Sequence, residues 1–332
     1  MFLCRLGGKI VDKLKNKLKL LILFILLIFP LKAIYLNEIY RIKKLSNYDE
    51  LKNIEIDRIV DRNKIKRNKI ENRVYVIGEN KPFTGSAIVG LDENKNIEGI
   101  LFYRNGHSER VLYEYYPNNQ LQLKIPQKND KNDGKGIEYY ANGNIKATRY
   151  FKENIIQSDI EYRENGTIIR SFKMTNGLDG ISTVYYENGK DVKSTAEVTQ
   201  DYSQKGKINN ILNGKLKTYN KQGQLQGVFT FKNNSLAGLP QELYYPNGKV
   251  RYYSIAKNND VNHLQFTQKA VEYYDNGQEK QDCDEVDSGI WMCKKYDKNG
   301  KFKGEVQKGG QPIETSNFWA NFFMGVLNIL LQ

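Results

Sequence analysis

The stretch Tyr244-Tyr245-Pro246-Asn247-Gly248-Lys249 decides how this chain folds. Asn-Gly beside a run of aromatic residues is the usual signal of a two-residue hairpin loop. Pro246 argues against that loop. In a two-residue connection the residue before Asn donates a ladder hydrogen bond, and proline has no N–H. A three-residue loop, in which a type I turn is followed by a left-handed residue that makes a bulge, accepts proline first and needs Gly or Asn third. Pro117-Asn118-Asn119 repeats the arrangement with Asn, the non-glycine residue most at ease with positive φ. The expected element is a hairpin closed by a type I turn with a glycine bulge.

The same signal recurs along most of the chain, at Asn105-Gly106, Asn118-Asn119, Asn142-Gly143, Asn165-Gly166, Asn188-Gly189, Gln222-Gly223, Asn247-Gly248, Asn276-Gly277 and Asn299-Gly300. The interval is 23 residues from Asn142 to Asn165, again to Asn188, and from Asn276 to Asn299, with insertions elsewhere. An aromatic stands just ahead of each dipeptide (Tyr103, Tyr116, Tyr140, Tyr162, Tyr186, Tyr219, Tyr245, Tyr274 and Tyr296), read as one equivalent position, and six are doubled, as in Tyr139-Tyr140. A second turn, marked by a second glycine, is expected half a repeat further on, at Asn96-Ile97-Glu98-Gly99, Gly177-Leu178-Asp179-Gly180, Ile211-Leu212-Asn213-Gly214 and Leu236-Ala237-Gly238. Two turns per unit leave two short strands, so the chain meanders antiparallel. Adjacent strand residues face opposite ways, so each tyrosine pair places one ring on each face of the sheet. The tyrosines therefore read first as structural; an exposed aromatic ladder for a glycan or another strand is the functional reading.

Repetition resolves what length and composition leave open. A chain of 332 residues exceeds one ordinary domain, but repeat units pack only on their neighbours. The net charge is +13, and seven basic residues against Asp12 lie within residues 1–33. What remains is mildly basic and alternating in sign, unlike the concentrated stripe of a nucleic-acid binder. The one dense basic cluster runs from Arg58 to Arg73, read either as a solvated face or as a contact for an acidic partner or lipid headgroups.

The two ends are apolar. Lys9 to Lys19 precede an uncharged run from Leu20 to Phe29, then Pro30-Leu31-Lys32-Ala33. That pattern fits a cleaved signal peptide or an uncleaved anchor, and both export the body. Phe318, Trp319, Phe322, Phe323, Leu327 and Leu330 belong to a C-terminal segment whose asparagines fall on one narrow helical stripe. Such a helix needs a partner, either the last repeats or a membrane surface. The expected organisation is a signal segment at 1–33, a cap at 34–73 containing a short helix and a strand, repeats at 74–307, and a linker with an apolar helix at 308–332.

Little in the chain points to catalysis. His107 and His263 are the only histidines and lie outside any ligand spacing, so neither a metal site nor a Ser-His-Asp set assembles. No cofactor motif occurs, and Asn129 to Gly134 reads as an ordinary inter-repeat loop. Cys283 and Cys293 flank a turn signal at Asp287-Ser288-Gly289 and, in an exported chain, are disulfide candidates.

Glu79-Asn80-Lys81-Pro82-Phe83-Thr84-Gly85, followed by Tyr-Tyr-x-Asn-Gly-Lys units, resembles the MORN-repeat variant proteins, often labelled as the YwqK family of bacterial antitoxins. The resemblance implies an all-β, elongated antiparallel hairpin array and a protein that binds a partner rather than catalyses. For an exported chain the implied partner is an unknown protein, with a toxin acting outside the cytoplasm among the candidates. The expected location is the periplasm, the cell surface or the outer face of a membrane. The alternative is a peripheral membrane or envelope scaffold held by its apolar ends.

Overall fold

Strand after strand in the body alternates small or apolar residues with polar ones. Val192–Asp201 is representative: Ser194, Ala196, Val198 and Gln200 are buried, while the residues between them are not. This period of two is what a pleated strand with one inward face requires. The computed structural model describes residues 58–93, 96–204, 208–237, 240–256, 266–287 and 289–310. The expected signal helix, the first part of the cap, His263, and the C-terminal helix with Phe318, Trp319, Phe322, Phe323, Leu327 and Leu330 lie outside the described residues. Contacts divide the chain into residues 1–59 and 60–332, and all but two described residues belong to the second unit.

The fold is all-β. Among the described residues 21 strands form one sheet, and Ile65–Asn68 with Arg73–Val76 form a separate hairpin. From Gly85–Leu91 onward the chain meanders antiparallel, each of the longer strands pairing with the next long strand. Two-residue strands at Lys131–Asn132 and Ser235–Leu236 lead into Gly134–Tyr139 and Pro240–Tyr244. One buried cluster joins Phe151, Ile156, Phe172, Val184, Leu212, Leu216 and Phe231 across successive strands. A second surrounds Trp291, Tyr252, Leu243 and Ala270, and a third holds Val60, Val74, Val76, Phe83 and Ala87.

The turn at Asn142-Gly143 has the expected form. Gly143 N–H donates to Tyr140 O at 2.9 Å, Tyr140 N–H to Asn144 O at 2.8 Å, and Gly143 has φ +86°. Asn142 Oδ1 accepts the Asn144 N–H at 2.9 Å, adding a side-chain clamp. Gly166, Gly189, Gly223, Gly248, Gly277 and Gly300 close the same bond three residues back, and so does Asn119 at φ +63°.

Three expectations are corrected. Asn105-Gly106 is a two-residue loop: Arg104 pairs with His107, and Asn105 (φ +50°) and Gly106 (φ +80°) are both left-handed, the type I′ form. No proline opposes that geometry here. Its backbone is tied on both sides, Gly106 N–H to Phe83 O at 2.8 Å and Val74 N–H to Gly106 O at 2.9 Å. Second, the nine aromatics are not equivalent. At three repeats one extra residue separates the tyrosine from the dipeptide, so Arg163, Asn220 and Asp297 open the turn, and Tyr162, Tyr219 and Tyr296 end their strands as Tyr139 does.

Third, of the expected second turns, Gly177-Leu178 does join Ile168–Asn176 to Asp179–Tyr185, but Gly99, Gly180 and Gly214 themselves lie inside strands, and Gly238 is outside the described residues. Other second turns form at Asn129-Asp130, Glu153-Asn154 and Asn233-Asn234, each pair with both φ values positive. Asn and Asp tolerate that region, so these turns form without the glycine that marks those at Gly177 and Gly289. Gly180 instead makes room: a Cβ there would collide with the Phe172 ring and the Lys173 carbonyl.

Candidate interaction surface

Each repeat ends its strand on a tyrosine paired across the ladder with a residue of the next strand. Five of these pairs are Tyr139 with Ile145, Tyr162 with Ile168, Tyr185 with Val192, Tyr219 with Leu225 and Tyr244 with Val250, whereas Tyr273 pairs with Glu279 and Tyr296 with Phe302. These five tyrosines are half-buried, and Ile145 is exposed. The preceding residues Glu138, Glu161, Val184, Thr218 and Leu243 belong to the opposite face by strand alternation. A stripe of alternating aromatic and aliphatic side chains therefore crosses the sheet just inside the glycine turns.

The second tyrosine of each pair has a different task. Tyr140 OH donates to Tyr162 O at 2.7 Å, Tyr116 OH to Tyr139 O at 2.8 Å, Tyr186 OH to Tyr219 O at 2.8 Å, and Tyr245 OH to Tyr273 O at 2.9 Å. Turn asparagines extend the link, as where Asn276 Nδ2 donates to Lys298 O at 2.8 Å. Each bond joins one repeat to the next, so these tyrosines and the Asn-Gly residues are framework.

The opposite face carries an ion cluster that the sequence reading missed. Glu138, Ala147, Glu161, Arg170, Val184 and Ser194 stand opposite one another in successive strands, and Gly136, Arg149, Asp159 and Phe172 form the neighbouring row. Arg170 grips Glu161 with two hydrogen bonds of 2.8 and 2.7 Å, and Glu138 receives Lys146 at 2.7 Å and Arg149 at 2.8 Å. Asp159 is 5% exposed and lies 3.2 Å from Arg149 Nε and 3.6 Å from Arg170 Nη2. Burial dominates its titration and raises its pKa to about 6 against the pull of both arginines. Glu138 is held below the usual range, because Lys146 and Arg149 outweigh its burial. The sequence signal was the 23-residue step from Glu138 to Glu161, hidden because both read as ordinary strand charges.

Asp130 makes a second electrostatic tie. Its turn faces Arg67, whose guanidinium donates at 3.1 and 3.2 Å, while His107 Nδ1 lies at 2.7 Å and Ser108 N–H donates at 2.7 Å. Burial raises its pKa, but these partners together bring it down to about 2. Thus Asn129 to Gly134, expected to be a plain loop, anchors the cap hairpin through the basic cluster. Cys283 and Cys293 are directly opposed in neighbouring strands, joined by a disulfide with Cα atoms 4.0 Å apart.

Among the described residues no group of three or more His, Cys, Asp or Glu is arranged to hold a metal, and no helix is long and apolar enough to cross a membrane. The family described as MORN repeat variant matches residues 132–153, 178–190, 212–233 and 239–258. Those four segments are similar to MORN-variant repeats. Each contains or adjoins hairpin turns of the sheet, and the stripe of tyrosines runs through and beyond them.

No curated protein matches the chain. Solved structures with some likeness include the Tc holotoxin pore of Photorhabdus luminescens (10% identity, 67% of this chain and 13% of that one, TM-score 0.16) and TcdB2-TccC3 (10%, 74% and 15%, TM-score 0.17). A porin-like protein from Bacteroides uniformis is 11% identical over 63% of this chain and 86% of its own, with a TM-score of 0.18. The chain spans less than a sixth of the first two. Superpositions this poor contribute nothing to the functional argument.

Proposed function

We propose that this is a non-enzymatic, exported repeat protein that binds another protein through the tyrosine-aliphatic stripe. The carrying observation is the stripe itself. Tyr139, Tyr162, Tyr185, Tyr219 and Tyr244 recur once per repeat on one face, each beside an aliphatic residue. Two strand spacings put successive rings about 10 Å apart where no insertion intervenes. Tyrosine offers large contact area with little rotamer entropy to lose, which is why it is enriched in protein interfaces and their hot spots. Following the antitoxin resemblance, the partner is a protein toxin acting outside the cytoplasm, and the chain is its immunity-type binder.

The stripe can be tested without dismantling the array. Inter-repeat bonds use the backbone carbonyls of Tyr139, Tyr162 and Tyr219, which survive removal of the rings. The full chain and a Tyr139→Ala/Tyr162→Ala/Tyr219→Ala variant are immobilised and challenged with secreted and envelope proteins of the native cell. One protein should be retained by the parent and lost by the variant, with circular dichroism unchanged. Retention by both, or by neither, rejects the stripe as the binding surface.

A further inference from the structure

The hairpin Ile65–Asn68/Arg73–Val76 lies outside the four matched repeat segments and carries a surface with a different chemistry. Ile70, at its tip, is 96% exposed, and Ile77, just past its end, is 63% exposed. Neither is held there loosely. Asn68 Oδ1 accepts the Ile70 N–H at 2.9 Å, and Ile77 N–H donates to Lys64 O at 2.9 Å. The hairpin is braced in turn by the Arg67–Asp130 pair and by Val74 N–H on Gly106 O. A rigid mount that turns isoleucines outward is the reverse of what burial favours in water.

Charge surrounds these isoleucines. Residues 58–81 hold eight basic residues against Asp61, Glu71 and Glu79. Arg62, Lys64, Lys66 and Lys69 are all exposed. A groove of about 760 Å³ runs between the isoleucines, lined by Lys66, Arg67, Lys69 and Tyr75 among others. Apolar side chains projecting from a cationic rim match the boundary of a bilayer, where headgroup phosphates lie beside acyl chains. We infer that the hairpin docks on an anionic phospholipid surface, with Ile70 and Ile77 entering the acyl boundary and Lys64, Lys66 and Lys69 meeting headgroup phosphates.

The test uses the full chain and vesicles of phosphatidylcholine with or without phosphatidylserine. Ile70→Trp places a reporter at the tip, read as the difference from the parent's emission. A blue shift is expected with serine-containing vesicles and none with pure phosphatidylcholine. Lys64→Gln/Lys66→Gln/Lys69→Gln should weaken vesicle association on the order of a hundredfold, and raised salt should weaken the parent likewise. Ile70→Ser/Ile77→Ser should weaken it by about tenfold or more. Vesicle binding without a tip shift, or equal binding by the lysine variant, assigns membrane contact elsewhere and overturns the inference. So does a tip shift of the same size with soluble heparin, which would mark a polyanion site rather than a lipid surface. Because the tyrosine variant leaves this hairpin untouched, it should bind vesicles as the parent does, and the two readings fail separately.

Discussion

Two aspartates give this protein opposite responses to acid. Asp159 has its folded pKa raised from 3.8 to about 6, so the folded state binds a proton more readily than the unfolded chain. Its contribution is fully present below about pH 4 and is lost as pH rises through 6, a change on the order of 2–3 kcal/mol. Asp130 is depressed from 3.8 to about 2, so its contribution is present above pH 4 and disappears as pH falls through 2. Thermal melts between pH 4 and 7 should show a decline with rising pH that Asp159→Asn flattens, with no loss of melting temperature at pH 7. Between pH 4 and 2, Asp130→Asn should flatten the fall of the parent. A parent-like pH profile in Asp159→Asn would remove the ion cluster from the account. Neither aspartate is marked in the sequence, since burial and partners such as Arg149 and Arg67 arrive from other strands.

At the scale of the hairpin, glycines that look alike do different work. Gly143 sits at φ +86° with open space around its α-carbon, so Gly143→Ala should cost about 1–2 kcal/mol, the strain of a left-handed alanine. Gly106→Ala adds collisions with the Val74 backbone and Arg73 Cβ to the same strain and should cost more. Gly180 has no positive φ, yet Gly180→Ala would displace Phe172 from the main cluster and should cost about 1–3 kcal/mol by overpacking. Urea titrations of the three variants give the ranking, and equal losses would contradict it. Tyr140→Phe removes only the hydroxyl that bonds to Tyr162 O and should cost about 1 kcal/mol. The bulged turn was legible because Pro117 and Pro246 exclude the alternative locally. The second turns at Asn129-Asp130 and Asn233-Asn234 were not, because Asn and Asp adopt positive φ without advertising it.

Across the whole molecule, stability is distributed between neighbouring repeats rather than held in one core, as the separate clusters around Phe172 and Trp291 indicate. The Cys283–Cys293 disulfide closes a short loop within the second cluster. In the chain-entropy account its loss costs about 2–3 kcal/mol. Cys283→Ser/Cys293→Ser should accordingly expose Trp291, now 1% exposed, before the repeats around Phe172 open. Hydrogen exchange resolves the order, and a single cooperative loss of protection throughout would argue against independent units. Any membrane role of the apolar ends belongs to this scale too, and fractionation after deletion of residues 316–332 measures it. Retention of the deleted chain on membranes would assign their contact to other surfaces.

The sequence by itself determined the all-β class, the repeat and the bulged turn, because each follows from local sterics or from a period of two. Tertiary structure alone decided which tyrosine ends a strand and which bridges repeats. It also brought Arg67 to Asp130, gathered Glu138, Arg149, Asp159, Glu161 and Arg170, and turned Ile70 outward. Those outcomes depend on register and on burial, and one inserted residue before Asn165, Gln222 or Asn299 shifts the register without altering the motif a reader sees.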